Sequence, residues 1–260
     1  MRPWCRVRRY PEDRDDNCGA AELREGAFVG LTNITIIYMR NNAVARKDPG
    51  VFRHAPSLKS LYFEDNKLSE LPAFPERSCP RLTTLSLTSN RLTGLPDAGT
   101  FSACAHIQDL YLDYNRITYL HPELFSSLVE LVNLYLHDNK IAFIPDQMFA
   151  RNTKLRRLQL NNNRLTYLPQ DFVSGLKQAN ADFDTFLFDG NPWHCACLLE
   201  LLADAKSAGV GRPRHHDGTR PECVCRRVPV RAPPPPPPTP RREGGACEPG
   251  LLPVLCSVLL

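Results

Sequence analysis

Two groups of residues in this chain have the types needed for chemistry. In NLYLHDNKI, Asn133 to Ile141, His137 is followed by Asp138, and a histidine oriented by a carboxylate is the base half of nucleophilic catalysis. Further on, His194, Cys195, Cys197, Cys223 and Cys225 are all zinc-ligand types. Each group lacks what would complete it. A base needs a nucleophile and a pocket; no serine or cysteine is placed to be activated by His137, and adjacent residues of an extended segment send their side chains apart. No Gly-x-Ser-x-Gly, phosphate loop or His-Glu-x-x-His occurs. Cys195 and Cys197 are separated by one residue, short of the spacer of about two to four in zinc-binding pairs. The expectation is a non-enzymatic protein with no cofactor and no metal, with a zinc-dependent enzyme as a distant alternative.

The shape of NLYLHDNKI recurs along the chain. Matching segments end at Asn42, Asn66, Asn90, Asn115, Asn139, Asn163 and Asn191, at spacings of 24, 24, 25, 24, 24 and 28 residues. A fixed period of this size means an array of supersecondary units, each contacting only its neighbours. Within one unit, Leu134 and Leu136 are two apart, as one face of a short strand requires, and Leu131 enters the same interior from the preceding turn. Ile141, Ile144 and Phe149 complete an apolar ring. A single ring cannot close its own core. Each buried leucine is worth roughly 1.5–3 kcal/mol, realised only when a ring lies above and below, so the end rings need caps.

Composition narrows the class. The net charge of +4 over 260 residues is unevenly placed: residues 212–242 carry eight arginines against Asp217 and Glu222, a local +6, so the rest sums to −2. Basic residues gathered in a low-complexity tail, with Pro233 to Pro238 as an extended linker, argue against a nucleic-acid partner. Ten cysteines clustered toward the ends suggest bridges made in an oxidising compartment, and Asn33-Ile34-Thr35 is a glycosylation acceptor pattern. The first residues, MRPWCRVRRYPEDRDDNCG, carry charge but no apolar run for a signal peptide. The expectation is an extracellular or cell-surface protein whose signal peptide is missing because its start is truncated or mis-assigned, with a cytosolic protein holding reduced thiols as the alternative. No run of about 18 apolar residues exists to span a membrane.

The segment LVNLYLHDNKIAFIPDQMF resembles the extracellular leucine-rich repeat, LxxLxLxxNxLxxLPxxxF, and GNPWHCACLLELLADAKSAG with DGTRPECV resembles the cysteine-rich C-terminal cap of that family, invertebrate members most of all. The resemblance implies an α/β solenoid: a curved horseshoe with a parallel concave β-sheet, an irregular convex side and a short C-terminal cap helix. It implies an incomplete N-terminal cap at 1–27 with only Cys5 and Cys18, about seven repeat turns at 28–190, the C-terminal cap at 191–226 and a proline-rich tail at 227–260. It further implies that Asn42, Asn66, Asn90, Asn115, Asn139 and Asn163 point inward and bond backbone groups of adjacent turns. That suits a buried turn, whose donors and acceptors must be satisfied. Carried over from the family, Cys195 pairs with Cys223 and Cys197 with Cys247, with Cys225 competing for the second bond. In the cap helix, Leu198, Leu199, Leu201, Leu202 and Ala205 form the apolar pattern and Gly209 the stop. Phe28, Phe52, Phe101, Phe125 and Phe149 line the convex side, while Glu76 stands where phenylalanine belongs and Phe74 is expected to substitute. Cys79 and Cys104 hold equivalent places in adjacent turns; a disulfide is conceivable, and small buried thiols are the plainer account.

Residues between the buried leucines face outward. The central outward column reads Tyr38, Tyr62, Ser86, Tyr111, Tyr135, Gln159 and Leu187. Two residues on come Arg40, Glu64, Thr88, Asp113, His137, Asn161 and Asp189, beside Asn41, Asp65, Ser89, Tyr114, Asp138, Asn162 and Gly190. Tyrosine gives broad contact area at low entropy cost with a hydroxyl to spare. With Asp109 and Arg157 the face carries six acids, Glu64, Asp65, Asp109, Asp113, Asp138 and Asp189, against Arg40 and Arg157. The expected site is therefore Tyr38, Tyr62, Glu64, Asp65, Asp109, Tyr111, Asp113, Tyr114, Tyr135, His137, Asp138 and Arg157, binding a protein ligand with a basic or amide-rich surface. A structural or non-catalytic subunit of a secreted or matrix complex is the alternative.

Overall fold

In the computed structural model, residues 22–47, 51–71, 79–95 and 99–210 are described. Seven three-residue strands form one parallel sheet in chain order: β1 (Ile36–Tyr38), β2 (Ser60–Tyr62), β3 (Thr84–Ser86), β4 (Asp109–Tyr111), β5 (Asn133–Tyr135), β6 (Arg157–Gln159) and β7 (Thr185–Leu187). The register aligns Leu61, Leu85, Leu110, Leu134, Leu158 and Phe186 in one row, and Tyr62, Ser86, Tyr111, Tyr135, Gln159 and Leu187 in the next. The first row is buried, as are Leu131, Leu136, Ile141, Ile144 and Phe149 from the rest of one turn. The protein is thus a leucine-rich solenoid with a parallel sheet on one side and a helical region at its C-terminal end. Opposite the sheet, Phe101, Phe125 and Phe149 stack at centroid distances of 6.3 and 5.8 Å, and Phe28 stacks on Phe52 at 5.8 Å.

Each turn closes around its asparagine. Asn139 Nδ2 donates to the carbonyls of Leu112, Leu136 and His137, while its Oδ1 accepts the Ile117 N–H of the preceding turn at 3.0 Å. The same set of bonds recurs at Asn66, Asn90, Asn115, Asn163 and Asn191. One side chain thereby satisfies buried groups of two turns at once, which no apolar residue could do. The residue before each asparagine, from Asn41 through Asp65, Ser89, Tyr114, Asp138 and Asn162 to Gly190, is left-handed, with φ between 53 and 65°. Asn, Asp and Gly tolerate that conformation best, so Asp65 and Asp138 suit their places by backbone geometry as well as by charge. Tyr114, a bulky residue, has no such advantage. At Gly190 a Cβ would run into the Asn162 side-chain oxygen.

Two expectations are corrected here. Cys79 and Cys104 are joined as a disulfide rather than held as thiols, with Cα atoms 5.2 Å apart. Stacked turns repeat at roughly 5 Å, which lies within the span a disulfide bridges. Leu199 does not belong to the cap helix's apolar stripe: in α2 (Cys195–Ser207) it is 58% exposed, while Cys197, Leu198, Leu201 and Ala205 are buried. The buried set follows i, i+3, i+7 from Leu198, and Leu199 sits about 100° round from it. The N-terminal cysteines Cys5 and Cys18, the Phe74 and Glu76 pair, the partners Cys223, Cys225 and Cys247, and the proline-rich tail lie outside the described residues.

The longest interval, 28 residues, holds α1 (Phe172–Ala179). Its N-terminus is capped from the next element: Asp204 of α2 accepts the Val173 and Ser174 N–H groups at 2.7 and 3.2 Å and the Ser174 hydroxyl. Trp193 fastens the same end, donating Nε1 to the Phe188 carbonyl at 3.0 Å with its ring edge-on to Phe188. Asp204→Ala is expected to cost about 1–2 kcal/mol, the worth of a helix cap. Thermal melting would register the loss, and faster amide exchange confined to the start of α1 would localise it.

Candidate concave-face site

The strands hold the tyrosines in place because successive side chains of a strand alternate faces while neighbouring strands repeat in register. With one rung every 5 Å or so, aromatic neighbours must stack or splay. Tyr38 and Tyr62 stack at 4.9 Å with planes 8° apart, and Tyr111 and Tyr135 at 4.4 Å and 4°. Ser86 interrupts the column. The result is two parallel pairs rather than a four-ring ladder, separated by an open recess of about 420 Å³ lined by Arg40, Tyr62, Glu64, Asp65, Ser86, Thr88 and Tyr111. Burial, and then the neighbouring Tyr135, push the Tyr111 hydroxyl up to about 12, and burial also raises Tyr62. Both phenols therefore stay protonated at neutral pH and can donate as well as accept.

The acids differ sharply in what they present. Glu64 is 7% exposed and held by Arg40, whose Nη2 donates to Glu64 Oε1 at 3.0 Å and whose guanidinium lies 5.8 Å from the Tyr62 ring centre. Asp113 is 5% exposed and accepts the Thr88 hydroxyl at 3.0 Å, with His137 Nε2 3.8 Å away. Burial raises the Asp113 carboxyl, against the lowering pull of His137. Asp189 is also buried. Asp109 accepts from Asn133 at 2.6 Å and Asp138 from Asn162 at 3.1 Å. The reason is the short rise between rungs, which packs this column against its own neighbours before any partner arrives. The six acids thus do not present one open anionic face; Asp65, exposed at the rim of the recess, is the most accessible.

His137 and Asp138 diverge. The carboxylate nearest His137 is Asp113 of the preceding turn, and the Tyr114 and Tyr135 rings stand edge-on to its imidazole at 5.4 and 6.4 Å. Tyr114 is 54% exposed, and the negative charge of Asp138 raises its hydroxyl. Arg157 Nη1 donates to the Tyr135 hydroxyl at 3.5 Å. The recess itself went unread in the sequence, although Ser86 breaking a run of tyrosines was the visible sign of it. Asn33, the glycosylation candidate, is exposed in a turn. Among the described residues no group of His, Cys, Asp and Glu side chains converges to hold a metal ion, and no helix is long and apolar enough to cross a membrane.

Comparison with known proteins agrees with this architecture. The "Leucine rich repeat" family profile matches residues 16–68, 80–141 and 129–178, and the profile "Leucine Rich repeats (2 copies)" matches 56–98. No curated protein matches the sequence. Among solved structures, a chain of the Toll–Spatzle complex from Drosophila, in its glycosylated form, aligns over 70% of this chain at 24% identity with a TM-score of 0.58. This chain spans 24% of that one's length, and the likeness is one of fold. The asparagine ladder, the strand register and profile matches running unbroken from residue 16 to 178 place the chain in the leucine-rich repeat family.

Proposed function

We propose that the protein is a secreted or cell-surface, non-enzymatic binding scaffold that recognises a protein ligand on its concave face. Leucine-rich repeat domains are typically protein-binding scaffolds. The observation that carries the finer reading is the pair of stacked tyrosine dimers framing the Ser86–Thr88 recess. Flat, rigid, half-buried rings carrying hydroxyls favour binding at low entropic cost. A side chain seated there meets the Tyr62 and Tyr111 rings and the Asp65 carboxylate, so an arginine, lysine or amide of the ligand suits it. The Cys79–Cys104 bridge and the exposed Asn33 support an oxidising, extracellular setting. The limits 1–27, 28–190, 191–226 and 227–260 for cap, repeats, cap and tail form part of this reading, as do bridges from Cys195 and Cys197 to Cys223 and Cys247.

The test is Ser86→Tyr. It completes the tyrosine column and fills the recess while removing no ring. In a screen of secreted and cell-surface proteins against the full chain, a ligand taken by the wild type should bind the variant at least about tenfold more weakly. Undiminished binding would rule out the recess as the seat of recognition.

A further inference from the structure

Five ladder asparagines in succession, Asn66, Asn90, Asn115, Asn139 and Asn163, are each followed by a basic residue, Lys67, Arg91, Arg116, Lys140 and Arg164, whereas Asn42 and Asn191 at the ends are followed by Ala43 and Pro192. All five are exposed. Their backbone N–H groups each donate to the preceding turn, at Val44, Leu68, Leu92, Ile117 and Ile141, over 2.8–3.0 Å. The five cations are therefore placed in one row across five consecutive turns, at roughly 5 Å per rung, on the side the chain reaches as it leaves the sheet. Among the described residues none of the five makes an ion pair, whereas Arg40, Lys154 and Arg156 elsewhere each face a carboxylate of a neighbouring turn. The columns on the sheet mix signs; this one does not. Asp65 and Asp138, two residues before Lys67 and Lys140, are the acids nearest in sequence, and neither bonds the row.

A second feature accompanies the row. Three residues farther along the last turns come Tyr119, Phe143 and Tyr167, with Tyr119 and Phe143 exposed and Phe143 and Tyr167 at a centroid distance of 6.1 Å. Between the two columns, Thr93, Thr118 and Thr166 are exposed. Unpaired cations in line, hydroxyls beside them and exposed rings along one edge fit a linear polymer carrying repeated anionic groups on a hydroxyl-bearing backbone.

We propose that this flank binds a sulfated polysaccharide. The cations meet sulfate and carboxylate groups along the chain, the threonines meet sugar hydroxyls, and the rings pack on sugar faces. Nucleic acid fits less well, because the Cys79–Cys104 disulfide favours the cell exterior. That choice of polymer rests on the extracellular reading; the flank itself is independent of the concave site.

The experiment measures binding of the full chain to immobilised heparin, to desulfated heparin and to RNA of matched charge, across a salt series. The wild type should bind heparin at about 0.15 M ionic strength and bind the desulfated polymer and RNA more weakly. Arg91→Gln with Arg116→Gln and Lys140→Gln should lose at least about tenfold in affinity and lower the log–log salt slope by about two to three, roughly one per cation removed. Its melting point should be unchanged, since all three side chains are exposed. Tyr111→Ala with Tyr135→Ala should bind heparin as the wild type does, even where it loses a protein ligand. Undiminished heparin binding by the triple variant would overturn the flank as the site, for instance in favour of the arginine-rich tail. RNA binding as tight as heparin would overturn the polysaccharide, and no heparin binding by the wild type would overturn both.

Discussion

Leu134→Asp should abolish the folded array. Leu134 is fully buried at the centre of β5, between Leu110 and Leu158 in the strands on either side. Truncating a core leucine alone costs about 2–5 kcal/mol, and an ionised carboxylate left unpaired there adds several more. Together these are comparable to the whole stability of an ordinary domain, about 5–15 kcal/mol. The position aggravates the loss, because in a solenoid each ring is stabilised only by its neighbours. A failed fifth strand divides the array into two pieces, each with an uncapped end. Far-UV circular dichroism should lose the native spectrum and heating should show no cooperative transition. A variant that keeps both would mean that Leu134 does not face the interior.

Tyr111→Ala with Tyr135→Ala should instead leave the fold standing and remove ligand capture. The two rings lie on the outward face of β4 and β5 and are half-buried mainly by each other. Removing them forfeits a stacking contribution of about 0.5–1.5 kcal/mol together with some strand preference, a modest fall in melting temperature. Binding is a different matter. Aromatic anchors at the centre of an interface commonly contribute about 2 kcal/mol or more each, so removing both should weaken a ligand of this face by at least about 100-fold. A binding isotherm beside a melting curve separates the two effects. Retained affinity would move the protein site to the convex side or the tail.

Much of the fold is legible from the period alone. Once Asn42 through Asn191 are aligned, the places of the strand residues around the turn follow, including the buried Leu134 and Leu136 and the outward Tyr135. The cap helix is equally readable up to one residue: Leu199 is apolar, but it lies about 100° round α2 from the buried stripe of Leu198, Leu201 and Ala205 and stays exposed. The site was legible as a list and not as a surface. Glu64 and Asp113 occupy outward positions yet are nearly buried, because Arg40, Thr88 and His137 on adjacent rungs close over them.

By itself the sequence determined where the strand and ladder residues sit around the turn and which rung each occupies, since a repeating backbone converts position in the period directly into direction. Only the tertiary structure decided what happens between rungs: that the tyrosines pair two and two around Ser86, that Cys79 is bonded to Cys104, that Asp204 reaches back to cap α1. These contacts join residues 24 to 31 positions apart, and they depend on rotamer choice and on gaps of a few ångströms, quantities a period does not contain.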